Sequence, residues 1–156
     1  KIFLNMKIKN KNNIKIIRFS LIVFFIFLII CALTFSQPSL KIMMTIFAFT
    51  AFFAAVFLPY YEFEYSGECI SFAKYGLFKT NYIRPFIEIP VLYITDYEIS
   101  RVLMIYFLKI TIEDGFSSKK RMTKISLQFF SDYQIIKIIK TLEVIKKKNT
   151  NNKAKP

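Results

Sequence analysis

Histidine and tryptophan are absent from this chain, glycine occurs three times and cysteine twice. Without histidine, the commonest general base and metal ligand near neutral pH is missing. Three scattered glycines do not make a phosphate-cradling loop. Cys31 falls in an apolar block and Cys69 in a polar stretch, so the pair has no metal-ligand spacing and is not expected to form a disulfide, as suits a reducing compartment. Acids are sparse too, 10 against 23 Lys plus Arg, for a net charge of +13. The carboxylates that do cluster, Glu62, Glu64 and Glu68, alternate with apolar residues, as do Asp96 and Glu98. That alternation reads as the solvated face of a strand rather than an acid/base pair. No lysine stands out as a nucleophile. The expectation is a protein that is not an enzyme, with no catalytic residues, metal site or cofactor.

What the chain has in excess is apolar length. Hydrophobic residues make up 54% and mean hydropathy is +0.40, and the excess is concentrated in two charge-free blocks, Phe19 to Phe35 and Ile42 to Leu58. Each covers about 25 Å as a helix, slightly under the roughly 30 Å hydrocarbon core, and Ile16 and Ile17 extend the first. Lys15 and Arg18 are expected to snorkel outward to the headgroups. Only Ser36 to Lys41 separate the blocks, which dictates a hairpin; Pro38 breaks the first helix and Ser39 is the expected N-cap of the second. Pro59-Tyr60-Tyr61 supplies a stop followed by interfacial tyrosines. Lys1, Lys7, Lys9, Lys11, Lys15 and Arg18 precede the first block with no acid among them, whereas the link carries only Lys41. The positive-inside rule then predicts a multi-pass protein of the cell inner (cytoplasmic) membrane with both termini cytoplasmic. A cleaved signal peptide is disfavoured by the long apolar region, the missing Ala-x-Ala site and the immediate second span. A lipoprotein site at Cys31 is disfavoured by the bulky Ile30. Ala48, Ala51 and Ala55 share one helical face, where small side chains let another helix approach, most simply the first span and alternatively a second copy. With no ionisable side chain inside either block, the pair reads as an anchor rather than an ion path. Either Lys1 to Asn5 precede a true start at Met6, or the chain is an incomplete product.

The pattern changes at Glu62. Tyr61-Glu62-Phe63-Glu64-Tyr65 has the two-residue period of a strand, Ser66-Gly67-Glu68 a turn, and Cys69 to Tyr75 resumes until Gly76. Phe86 to Ile89, Ile94 to Ser100 and Phe107 to Glu113 read as further strands; Asp114-Gly115 marks a turn and Met122 to Phe129 a return strand. Ser131 with Gln134 forms a capping-box signature, and Ile135, Ile138, Ile139, Leu142 and Ile145 make the apolar stripe of one closing helix, opposed by Lys137, Lys140 and Lys147. The expected organisation is α+β. A basic N-terminal segment spans 1–18, a transmembrane helical hairpin 19–61, an antiparallel β domain capped by a C-terminal helix 62–148, and a disordered basic tail 149–156.

The runs Ile87-Glu88-Ile89-Pro90, Ile94-Thr95-Asp96-Tyr97-Glu98-Ile99 and Leu108-Lys109-Ile110-Thr111-Ile112, followed by the capped helix, resemble the bacterial pleckstrin-homology-like domains found behind short membrane hairpins. In that family an I-P-x-x-x-I segment typically begins a central strand, and Pro90 and Ile94 match it. The resemblance covers roughly Glu62 to Lys147. It implies a seven-stranded, strongly bent sandwich or barrel capped by the helix, used for recognition rather than catalysis. The inositol-lipid motif of some eukaryotic members is not carried over, because the Ser66-Gly67-Glu68 loop is short and acidic.

Lys119, Lys120, Arg121 and Lys124 form the densest basic group in the polar half and are the candidate contact for anionic lipid headgroups, each cation contributing about 1 kcal/mol at such a surface. An ordinary solvated hairpin is the competing reading. The expected function is a membrane-anchored, non-catalytic interaction module at the cytoplasmic face. Its partners would be the lipid bilayer and a protein partner or a homo-oligomer; a small accessory subunit of a membrane transport or secretion complex is the alternative. Nucleic acid is disfavoured, because the basic residues lack interleaved stacking aromatics.

Overall fold

The computed structural model describes residues 5–77, 84–103, 105–114 and 117–153. They divide into two units: Lys11–Tyr60 with the stretch after Ala73, and the chain up to Asn10 with Tyr61–Ala73 and the described chain from Arg84 onward.

The first unit holds helices α1 (Lys11–Thr34) and α2 (Pro38–Phe57). No glycine or proline interrupts Lys11–Thr34, so α1 begins at Lys11 rather than at Phe19. The two helices are about 36 Å and 30 Å long, enough to cross a hydrocarbon core of roughly 30 Å. Pro38 opens α2 instead of breaking the chain ahead of it, because the first helical position needs no N–H donor. Ser39 therefore lies within the helix and is not its N-cap; Gln37 holds that position with extended backbone. At the far end, the Leu58 N–H bonds the Ala54 carbonyl at 3.0 Å.

Packing in this unit is inverted relative to a water-soluble pair. Small side chains lie inside: Ala48, Ala51 and Ala55 of α2, with Ala32 and Leu28 of α1, are buried, and the Phe25 and Phe52 rings meet at 5.4 Å. Large ones, including Phe19, Phe27, Leu33, Phe53 and Phe57, face outward. Only 11% and 17% of the two apolar windows are buried, whereas a soluble core helix would be mostly covered. Arg18 does not snorkel outward as expected: its guanidinium donates to the Leu58 carbonyl, placing a cation at the C-terminal end of α2, where the helix dipole favours it.

In the second unit the strands are β1 (Met6–Lys9), β2 (Tyr60–Tyr65), β3 (Cys69–Tyr75), β4 (Ile87–Pro90), β5 (Ile94–Val102), β6 (Ile105–Asp114) and β7 (Ser117–Leu127); α3 (Asp132–Lys153) ends it. They form two antiparallel sheets in sequence order, β1-β2-β3-β4 and β5-β6-β7. Alternation decides the core. Phe63, Ile70, Phe72, Leu108, Ile110, Ile125 and Leu127 point inward and meet Ile135, Ile138, Leu142 and Ile145 of α3. Ile139, on the edge of that stripe, is only partly buried. Gly67 carries φ 91°, which a side chain would resist, and lets Ser66 close the β2–β3 turn onto Cys69 at 3.1 Å. Gly115, expected in the β6–β7 turn, lies outside the described residues.

Two boundaries differ from the sequence reading. The N-terminal basic segment contributes β1, paired with β2 in the register Met6↔Tyr65 to Lys9↔Glu62. Its Met-Lys-Ile-Lys alternation buries Ile8, a strand signal hidden under flanking charge. At the other end α3 continues to Lys153, so Asn149 is not part of a tail. The inward positions 135, 138, 142 and 145 recur at steps of three and four, and the next step is 149. Asn149 is buried there and donates to the carbonyls of Val91 and Ile94 at 2.7 and 2.8 Å.

Candidate functional site

The densest polar organisation lies where β1 leaves the sheet. Glu62, read from sequence as a solvated strand position, is only 2% exposed. Lys7 and Lys9 of the neighbouring strand reach its two carboxylate oxygens at 2.7 and 2.8 Å, and Lys7 also reaches Glu64 at 3.0 Å. Asn10 follows at 0% exposure. Its side-chain oxygen accepts from the Tyr61 N–H at 2.7 Å, its amide donates to the Gln128 carbonyl at 2.9 Å, and its backbone N–H bonds the Tyr61 carbonyl at 3.1 Å. One short side chain thus joins β1, β2 and the turn before α3.

The start of α3 meets the same region. Ser131 and Gln134 cap each other as the sequence predicts: the Ser131 N–H donates to Gln134 Oε1 at 3.0 Å and the Gln134 N–H to Ser131 Oγ at 3.4 Å. Gln134 spends its remaining donor on the Lys9 carbonyl at 2.8 Å. Asp132 accepts from the Tyr106 hydroxyl at 3.0 Å, and that hydroxyl accepts from Arg101 at 3.2 Å. Arg101 lies 5.1 Å from the Tyr106 ring centroid and also donates to the Leu103 carbonyl at 3.2 Å.

Strand geometry splits the basic group expected to bind anionic headgroups. Lys120 and Lys124 share the outer face of the second sheet with the exposed Met122, whereas Arg121 sits opposite Ile112 with the other parity. The Lys119 side chain lies outside the described residues. Lys124 rests 4.5 Å over the Phe107 ring. Lys109 stands opposite it and reaches Glu98 at 3.4 Å, and Glu113 stands opposite Lys120. Acids therefore interleave with the cations. The alanines Ala48, Ala51 and Ala55 are brought together, at the contact between α1 and α2.

Among the described residues no cluster of three or more His, Cys, Asp or Glu has the geometry of a metal site. Both cysteines are free thiols. Burial pushes the Cys69 thiol up, and the carboxylates of Glu88 and Glu68 add to the effect, opposite to what an activated thiolate requires. Sequence reasoning missed Asn10, the Lys7–Glu62–Lys9 contact and the Arg101–Tyr106–Asp132 relay. The alternation of residues 6–9 was the one available signal. No family model, curated protein or solved structure matches this chain.

Proposed function

We propose that this chain is a two-span protein of the cytoplasmic membrane that holds a pleckstrin-homology-like, non-catalytic interaction module at the inner face. Two mostly exposed apolar helices of spanning length support the anchor. The observation that carries the reading is the pairing of β1 with β2. One strand precedes α1 and the other follows α2, so hydrogen bonding between them requires both flanks of the helical hairpin to lie in one compartment. Six basic residues ahead of the first apolar block, with no acid among them, support the cytoplasm as that compartment. The sheets of four and three strands in sequence order, followed by a C-terminal helix, fit the seven-stranded sandwich that the resemblance implies; β1 supplies the strand missing from the six read in the polar half.

The test has three parts. Carbonate washing leaves the protein in the membrane, reporters fused to either end signal from the cytoplasm, and cross-linking capture recovers a soluble or lipid ligand. Release of the intact chain by carbonate, or export of either terminus, sinks the proposal. A stoichiometric membrane partner assigns the chain instead to a transport or secretion complex as an accessory subunit.

A further inference from the structure

We propose that the tip of the β5–β6 hairpin, Val102 and Leu103, is a lipid-contacting wedge that inserts its side chains at the acyl-chain boundary of the bilayer spanned by α1 and α2. This deepens the membrane-anchored reading and rests on it. Hairpin tips ordinarily carry Gly, Asn or Asp, which tolerate positive φ and water. Here Leu103 is 89% exposed with φ 56°, and Val102 beside it is 55% exposed. A leucine held in the left-handed region and presented to solvent costs stability on both counts, the kind of outlier that marks function.

The tip is also built rather than loose. Arg101 holds the Leu103 carbonyl and the Tyr106 hydroxyl, and Asp132 at the start of α3 holds that hydroxyl in turn. Two residues along α3 from tip-bound Asp132, Gln134 binds the Lys9 carbonyl, and Asn10 binds the Gln128 carbonyl. The next residue, Lys11, begins α1. These bonds put the tip at the same end of the sheet unit as Lys9 and Asn10, the residues that precede α1 in sequence. The same end presents Tyr133, 65% exposed, with the Lys137 ammonium 4.4 Å from its ring centroid. An aliphatic apex with an arginine at its base and a tyrosine–lysine pair beside it is the residue order of a membrane interface, apolar groups deeper and cations at headgroup level. Two aliphatic side chains on a narrow tip cover far less than the ~800 Å² per partner of a stable protein interface, which favours lipid over a protein.

Because the chain lacks tryptophan, Leu103→Trp creates a single fluorescent reporter in the full-length protein. Val102→Trp gives a second. Val144→Trp, 55% exposed and about 18 Å along α3 from Asp132, is the control. Each variant is reconstituted into vesicles with or without bromine-labelled acyl chains. The expected result is blue-shifted emission and loss of intensity on bromolipid for the two tip variants, with water-like, unquenched emission from the control. Equal behaviour of all three variants overturns the inference. So does a blue shift without bromolipid quenching, which would mean that protein covers the tip. Flotation and carbonate extraction of the same samples separate the two levels: vesicle-bound protein with an unquenched tip defeats the wedge alone, and protein that does not associate defeats the anchor as well.

Discussion

Burial alone would push the Glu62 carboxyl up, but hydrogen bonds from Lys7 and Lys9 outweigh it and hold the group below the usual carboxylate range. Hydrogen bonds to Glu62 and then Glu64 push the Lys7 ammonium up in turn. Because Glu62 is depressed, its stabilisation is complete above the unfolded carboxylate value of about 4.3 and is lost as pH falls through the lower folded value. Because Lys7 is raised, its share is complete below about 10.4 and is lost as pH rises through its folded value. Glu62→Gln is expected to lower stability at neutral pH by about 1–2 kcal/mol and to flatten the acid limb. Denaturation midpoints of the purified protein across pH 3–8 measure this, and an unchanged profile would refute it. Asn149 gives a second residue-scale prediction. Asn149→Ala leaves two backbone carbonyls without their amide donors and is expected to cost about 2 kcal/mol, whereas a disordered tail position would tolerate the change. Neither residue's role was legible in sequence, because each depends on partners contributed from far along the chain.

Among the elements, those with a strong period were readable. Leu108 and Ile110 alternate with Lys109 and Thr111, and the Ser131–Gln134 cap announces α3 one turn before its apolar stripe begins. Short elements were not. β1 has four residues, too few for a period to stand out, and its lysines served equally well as membrane-flanking charge. The helix pair was legible as two long apolar helices, but its contact geometry required both helices together. Ala48 has no exposed surface, so Ala48→Leu must force α1 away. Overpacking of this kind is expected to destabilise the helix pair by about 1–3 kcal/mol. A detergent-to-SDS titration of the full protein reads it, with the exposed Phe49→Leu as the control. Equal midpoints for the two variants would show that the alanine face is not a tight contact.

For the molecule as a whole, the helical hairpin occupies the place of a turn. Asn10 and Tyr61 exchange bonds where β1 and β2 meet, and the two apolar helices lie between them in sequence. Replacing Lys11–Tyr60 with a short Asn-Gly linker is therefore expected to yield a folded, water-soluble β domain. A fragment starting at Glu62 lacks β1, both lysines against Glu62 and the Asn10 bonds, and is expected to be unfolded or aggregated. Circular dichroism and amide dispersion by NMR distinguish the two. Equal folding of both would make β1 an accessory rather than an integral strand.

Composition and periodicity by themselves determined the two apolar helices, six of the strands and the capped closing helix, because each is a local pattern that hydrophobic burial reads directly. Tertiary structure decided which segments complete the sheet, where Glu62, Asn10 and Asn149 find partners, and how the basic residues of β7 divide between faces. Those outcomes rest on hydrogen bonds and ion pairs between residues remote in sequence. Only the folded chain brings such groups within reach of one another.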